Sequence, residues 1–127
     1  MLNQGIKGYT FEIVTENHTA KAAGSGELLV YATPYMIALI EKTAWESVAG
    51  NLEEGQGTVG TRLDVSHVSA TPVGMKVWCE TELIEIDGRR LVFAVKAYDE
   101  AGLIGEGTHE RFIVWNERFQ QKAEGKR

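Results

Sequence analysis

Thr33-Pro34-Tyr35-Met36-Ile37-Ala38-Leu39-Ile40-Glu41 opens the only long helical pattern in the chain. A hydroxyl residue followed by proline marks a helix start, with Thr33 at the N-cap and Pro34 at N1. The six residues from Tyr35 to Ile40 are apolar on nearly every side, so this helix, running from about Pro34 to Ala49, is expected to be buried rather than to lie on a surface. Gly50-Asn51 ends it, and Glu53-Glu54-Gly55-Gln56-Gly57 makes a polar connection. A lone apolar helix must be covered by something else in the chain, and what surrounds it reads as strand.

Before the helix, Tyr9, Phe11 and Ile13 alternate with polar neighbours and predict a first strand. Asn17 to Gly26 is polar and glycine-bearing and reads as a loop. After the helix, Val59, Thr61, Leu63, Val65 and His67 would share one strand face, and Gly60, Arg62, Asp64 and Ser66 the other. Thr71-Pro72-Val73-Gly74 breaks the run. A third strand follows from about Met75 to Ile86, and Asp87-Gly88 is a type I′ hairpin signal. Leu91, Phe93, Val95 and Ala97 alternate along the next strand. Asp99 to Gly102 turns the chain into a last strand from about Leu103 to Trp115, and the charged tail beyond Glu117 is expected to fray. The order is strand, helix, then four strands joined by tight turns. This predicts a single α+β domain over residues 1–127, with a curved antiparallel sheet wrapped around one long central helix. Its exposed edge strands favour pairing with a second copy, so a homodimer, or a higher assembly built from it, is expected.

Bulk properties narrow the function classes. A net charge of −5 argues against a nucleic-acid partner, which needs a basic face. No stretch approaches the roughly 20 apolar residues of a membrane span, and the first residues hold no apolar signal region, so a cytoplasmic protein is expected. Cys79 is the only cysteine and lies among apolar strand residues. It reads as packing in a reducing compartment. His18, His67 and His109 share no close spacing and no acidic or cysteine cluster joins them, so neither a metal nor another cofactor is expected.

Three side chains carry candidate chemistry, each against a plainer reading. Glu41 ends an apolar run, where a carboxylate is costly to keep charged without a partner. It is either a solvated residue on a polar stripe with Lys42, Glu46 and Ser47, or a carboxylate placed for general-base or nucleophilic work. Thr33 is either a helix cap or a hydroxyl presented where backbone N–H groups favour developing negative charge. His67 is either a satisfied core histidine or an acid–base group facing the helix. Gly60 is either part of a bulge or a bare backbone N–H close to a ligand oxygen. Arg62, Arg89, Arg90 and Arg111 are isolated cations, with the hairpin pair Arg89 and Arg90 expected in solvent. Thr33 and Glu41 are eight residues apart, about 12 Å along a helix axis. If both serve one site, either the helix starts late or two subunits assemble the site.

Four segments carry a family resemblance: Ala-Thr-Pro-Tyr-Met-Ile-Ala-Leu-Ile-Glu (32–41), Gly-Thr-Val-Gly-Thr-Arg-Leu-Asp-Val-Ser-His through Met75 (57–75), Gly-Arg-Arg-Leu-Val-Phe (88–93) and Ile-Gly-Glu-Gly-Thr-His-Glu-Arg (104–111). Together, from about residue 30 to 120, they resemble the fluoroacetyl-CoA thioesterase group of the hotdog-fold thioesterases. The resemblance implies a hotdog fold whose copies pair edge to edge, and hydrolysis of a short acyl-CoA thioester. It also implies that Thr33, Glu41 and His67 are the catalytic threonine, glutamate and histidine, that Gly60 lines the acyl site and that Arg111 lies near it. The characterised member of the group carries phenylalanines in a lid ahead of its threonine. Residues 24–28 here read Gly-Ser-Gly-Glu-Leu, so the resemblance implies the hydrolase without implying selectivity for a fluorinated acyl group. Two other readings use the same pocket: a non-catalytic acyl-CoA or small-acid binding module, and an acyl-CoA hydratase or dehydratase.

Overall fold

A computed structural model describes all residues from Met1 to Arg127. Strand β1 (Lys7–Ile13) leads through a 3-10 turn (Glu16–His18) and a one-turn helix α1 (Ala20–Ala23) to the long helix α2 (Thr33–Ala49). Strands β2 (Gln56–His67), β3 (Lys76–Asp87), β4 (Arg90–Asp99) and β5 (Gly102–Trp115) follow, and helix α3 (Asn116–Glu124) ends the chain. The five strands form one sheet in the order β1-β3-β4-β5-β2, every pair antiparallel.

Helix α2 lies on one face of this sheet and contacts β1, β2, β3 and β4. Its buried residues are Met36, Leu39, Ile40, Thr43, Ala44 and Val48, the i, i+3, i+4 spacing of one helical face. All of these but Thr43 meet Val77, Cys79, Leu83, Leu91, Phe93, Val95, Ala97, Ile104 and Ile113 from the sheet in one apolar cluster. Cys79 is fully buried there, and burial pushes its thiol up to about 12, which leaves it a packing residue. No helix is long and apolar enough to cross a membrane.

Five local expectations are corrected. The helix starts one residue early: Ala32 is the N-cap with φ −75 and ψ 140, and Thr33 is the first helical residue. The Thr33 hydroxyl therefore does not cap its own helix. Secondly, β2 does not pair with β3. The connection from Val68 to Met75, held by a Val30–Pro72 bridge and by the Thr71 hydroxyl donating to Asp99 Oδ2 at 2.7 Å, carries the chain to the far side of the sheet, and β2 pairs with β5 at the edge. Thirdly, Asp87 pairs with Arg90, so the hairpin turn is Gly88-Arg89. Only Gly88 has a positive φ, +61, and a type I′ turn needs it at both central positions, so the turn is of the II′ pattern. Fourthly, residues 16–23 hold two short helical turns in what reads as loop, and the tail from Asn116 to Glu124 is helical although none of it is buried. Fifthly, the Arg90 guanidinium is paired at 2.8 Å with Glu85 and 2.9 Å with Glu110 rather than left in solvent.

One further correction decides the site. The β2–β5 register shifts between Gly60 and Arg62. Thr61 is the extra residue, and a bulge reverses the alternation on either side of it. Cross-strand partners share a face, so Thr58 (opposite Ile113) and Gly60 (opposite Arg111) lie on the same face as Leu63, Val65 and His67. Val59 moves to the opposite face, and Gly60 joins the face that meets the helix.

The packing of α2 on the sheet predicts that Ile40→Ala, at a fully buried position, costs about 2–5 kcal/mol. Urea unfolding followed by circular dichroism measures it, and a loss below about 1 kcal/mol would contradict the packing described here.

Candidate active site

The helix face and the β2–β5 face meet in two clusters of polar side chains. The first lies at the start of α2. The Thr33 Oγ1 is 2.7 Å from His67 Nδ1, which joins the first helical residue to the last residue of β2. His67 Nε2 is buried and has no partner in the chain. Burial lowers the imidazole below its ordinary 6.5, with the Ser69 backbone acting in the opposite direction, so the ring is neutral at pH 7. A cleft of about 360 Å³ opens beside this pair, lined among others by Val30, Tyr31, Thr33, His67 and Val68. The segment just ahead of Thr33 carries Leu28 and Leu29, which are 67% and 61% exposed.

The second cluster surrounds Glu41, two turns further along the same helix. Arg111 on β5 is 5% exposed, and its guanidinium is nearly saturated with acceptors. Its Nε donates to Thr58 Oγ1 at 2.8 Å and its Nη2 to the Thr58 carbonyl at 2.9 Å. Its Nη1 faces His109 Nε2 at 3.1 Å and Glu41 Oε2 at 3.5 Å. Glu41 itself is 39% exposed at the side chain, so one carboxylate oxygen addresses a buried cation while the group stays reachable from solvent. Gly60 sits opposite Arg111 and closes against the same carboxylate. A Cβ at Gly60 would lie 2.5 Å from Glu41 Oε2 and 3.2 Å from both Arg111 Nη1 and His109 Cε1. A side chain at this position would therefore push the Glu41 carboxylate aside, with no special backbone angle involved.

All five residues singled out in the sequence fall in these two clusters, but they do not converge on one point within the chain. Thr33 joins His67, and Glu41 joins Arg111 and Gly60. His109 belongs to the second cluster and was missed, because its distance in sequence from the other histidines hid its role. The signal available was its spacing from Arg111: residues i and i+2 of a strand point to the same face. The side chains of Arg62 and Arg89 lie outside both clusters, with Arg89 5.4 Å from the centre of the Phe112 ring.

Comparison with known proteins gives this geometry a family. Residues 14–117 match the family described as fluoroacetyl-CoA-specific thioesterase. A fluoroacetyl-CoA thioesterase from Streptantibioticus cattleyicolor is 41% identical over 97 residues, spanning 76% of this chain and 70% of the relative. A solved threonine-to-serine variant of such an enzyme in complex with acetyl-CoA superposes with a TM-score of 0.93 at 32% identity, covering 98% of both chains. A hot-dog-like protein from Thermanaerovibrio acidaminovorans, 21% identical, shares the fold over 98% of this chain and 93% of its own with a TM-score of 0.88. The sheet with its single long helix is thus a hotdog fold, and the chain belongs to the fluoroacetyl-CoA-specific thioesterase family.

Proposed function

We propose that this protein hydrolyses a short-chain acyl-CoA thioester to the free acid and CoA, with Thr33, Glu41 and His67 as its catalytic residues. The observation that carries the reading is the pairing of Thr33 with a neutral, half-satisfied His67 at the mouth of a cleft, on the same helix that delivers Glu41 beside a buried guanidinium. Family membership supplies the reaction class, since the named relatives are thioesterases and one was solved with acetyl-CoA.

In this reading Glu41 supplies the carboxylate that attacks the thioester carbonyl or draws a proton from water. The Thr33 hydroxyl, free of its own helix, orients the reacting oxygen. Neutral His67 keeps one ring nitrogen on Thr33 and offers the other to the departing sulfur. The backbone N–H of Gly60 or its neighbour steadies negative charge on the carbonyl oxygen, and Arg111 fixes Glu41 from behind. The relatives' names specify fluoroacetyl-CoA. Residues 24–29 of this chain, Gly-Ser-Gly-Glu-Leu-Leu, hold aliphatic side chains and no aromatic ring, which leaves Tyr31 as the aromatic residue lining the cleft ahead of Thr33, and on that ground we assign it an ordinary short acyl group without a marked preference for fluorine.

Two clusters two helical turns apart call for a second copy. Strand β2 lies at the sheet edge with one side unpaired, and Leu63 on its helix-facing side is still 36% exposed. An antiparallel pairing of β2 with its two-fold mate carries the Thr33–His67 pair of one protomer toward the Glu41–Arg111 cluster of the other. This arrangement supports a homodimer with two shared sites.

Glu41→Gln should lower kcat on a panel of acetyl-, propionyl-, butyryl- and fluoroacetyl-CoA by about a hundredfold or more. Background turnover by wild type on every member would sink the hydrolase reading, and tight acyl-CoA binding without turnover would replace it with a binding module. On the same panel, the fluoroacetyl-to-acetyl ratio of kcat/KM should stay within about tenfold. Mixing inactive Thr33→Val and Glu41→Gln protomers should restore about a quarter of wild-type activity, because each heterodimer regains one intact site. No recovery after confirmed subunit exchange places all three residues of a site in one chain. Gly60→Ala should displace the Glu41 carboxylate and lower kcat about tenfold or more while changing stability by less than about 1 kcal/mol. Wild-type turnover in that variant would remove Glu41 from its place against β2.

A further inference from the structure

His109 has no part in the chemistry above, yet it is the most completely buried titratable side chain beside the site. It is 0% exposed, on the core side of β5, with the Phe93 ring 6.4 Å away at a 31° tilt. A polar ring in that setting must have both nitrogens satisfied. Nδ1 lies 2.8 Å from the carbonyl oxygen of Arg62, the residue immediately after the bulge, and a carbonyl only accepts. Nδ1 therefore carries the proton. Nε2 lies 3.1 Å from Arg111 Nη1, and a guanidinium only donates. Nε2 therefore offers a lone pair. The two partners together define one state, the neutral Nδ1–H tautomer.

We propose that His109 is a positioning residue for Glu41: it takes one of the two Nη1 hydrogens of Arg111, so that the other is directed at Glu41 Oε2 and the guanidinium cannot turn away from the carboxylate. The inference rests on the proposed role of Glu41 for its kinetic consequences and on hydrogen bonding alone for its structural ones. Thr58 holds Nε and Nη2, which sets the plane of the guanidinium. Only Nη1 reaches the helix, and its contact with Glu41, at 3.5 Å, is the longest of the four and the easiest to lose. Without an acceptor at 3.1 Å, a buried N–H would be left without a partner, and the lowest-cost remedy is to draw the Glu41 carboxylate inward or admit water. Either change moves the reacting oxygen. The bulge is the structural reason that the arrangement exists, because it aligns Gly60 with Arg111 and Leu63 with His109 on one face.

The same geometry gives a pH dependence with a definite sign. The groups facing His109 are Arg111 on its own strand and Glu41 from α2. Arg62 offers its backbone from β2, Glu110 acts from the neighbouring position on β5, and β4 presents the uncharged Phe93 between Leu91 and Val95. Burial, with the Arg111 charge adding to it, lowers His109 below its ordinary 6.5 against the opposing Arg62 carbonyl and the two glutamates. The ring is neutral at pH 7. As pH falls through that lowered value, Nε2 gains a proton and becomes a donor facing a donor, so Arg111 Nη1 loses its acceptor and the Glu41 carboxylate is no longer held in place.

The test compares two substitutions of equal polarity. His109→Gln can place its amide oxygen near the Nε2 position and keep the acceptor for Arg111. His109→Asn can keep a donor for the Arg62 carbonyl and loses the acceptor. The proposal expects the Asn variant to fall at least about tenfold below the Gln variant in kcat, with KM of the two within about threefold. It also expects the acid limb of kcat to shift in Gln, where the imidazole that titrates is gone. Equal kcat in the two, or a better Asn variant, would show that the donor to β2 is what matters and would overturn the proposal. Nitrogen-15 NMR of the wild-type dimer or monomer provides a readout independent of catalysis. His109 should show a protonated Nδ1 and an unprotonated Nε2 at pH 7, and the Arg111 Nη signals should be resolved in wild type and Gln and averaged in Asn. A protonated Nε2 at pH 7 overturns the assignment. If wild type hydrolyses no acyl-CoA, the functional reading fails while the NMR comparison still decides the role of His109.

Discussion

The rotational setting of helix α2 governs everything chemical in this fold. Met36, Leu39, Ile40, Thr43, Ala44 and Val48 are all buried against the sheet, and that stripe admits only one orientation of the helix. Each residue turns the helix by about 100°, so Glu41 emerges about 100° beyond Ile40. That puts it at the margin of the buried face, neither in the core nor in open water. The apolar stripe, at about 25 cal/mol for each Å² it removes from water, far outweighs the cost of partly covering one carboxylate. The position of Glu41 is thus a by-product of packing, and the surroundings have to be built to suit it.

What the sheet builds there is a buried cation with acceptors on every side. An isolated guanidinium inside a protein is costly, and pairing alone seldom recovers the cost. Arg111 is tolerated because Thr58, His109 and Glu41 take its hydrogens between them. The arrangement requires Thr58 and Gly60 to face the helix together with Leu63, which strict alternation along β2 forbids. One extra residue at Thr61 removes the conflict. Gly60 then completes the fit, since any side chain there would occupy the space of the Glu41 carboxylate.

The parts of this molecule that were legible in its sequence are those set by local pattern. The α2 segment declares itself by a Thr-Pro start and an apolar run, and β4 by its alternation. Thr33, Glu41 and His67 stood out because hydroxyl, carboxylate and imidazole fall at the ends or margins of apolar segments. What stayed hidden is non-local. Nothing between residues 56 and 67 reveals that the strand will pair with β5 rather than with β3, or that this pairing absorbs an extra residue, so the face assigned to Gly60 and Val59 came out reversed. His109 was hidden for the same reason, since its partners lie 47 residues away in Arg62 and two residues away in Arg111. The short helix α3 buries nothing, so no apolar periodicity advertises it.

The free edge of β2 and the separation of the two polar clusters are best understood as one problem. A 12-residue strand with unpaired backbone groups on one side is a liability that chains usually blunt with proline, lysine or a covering element. β2 contains neither proline nor lysine, and its bulge at Thr61 lies in its pairing with β5. Its helix-facing side keeps Leu63 partly open, next to a glutamate and an arginine held in fixed positions. On the proposed catalytic roles, a covering element that satisfied the backbone alone would leave the Thr33–His67 pair and the Glu41–Arg111 cluster apart, since the roughly 12 Å of helix between them cannot shorten. A second copy related by a two-fold axis satisfies the backbone and inverts the order of the clusters at the same time, bringing one end of the partner's β2 toward the middle of this one. That economy is the physical argument for the proposed shared site: one two-fold partner would cover the free edge and join the two clusters.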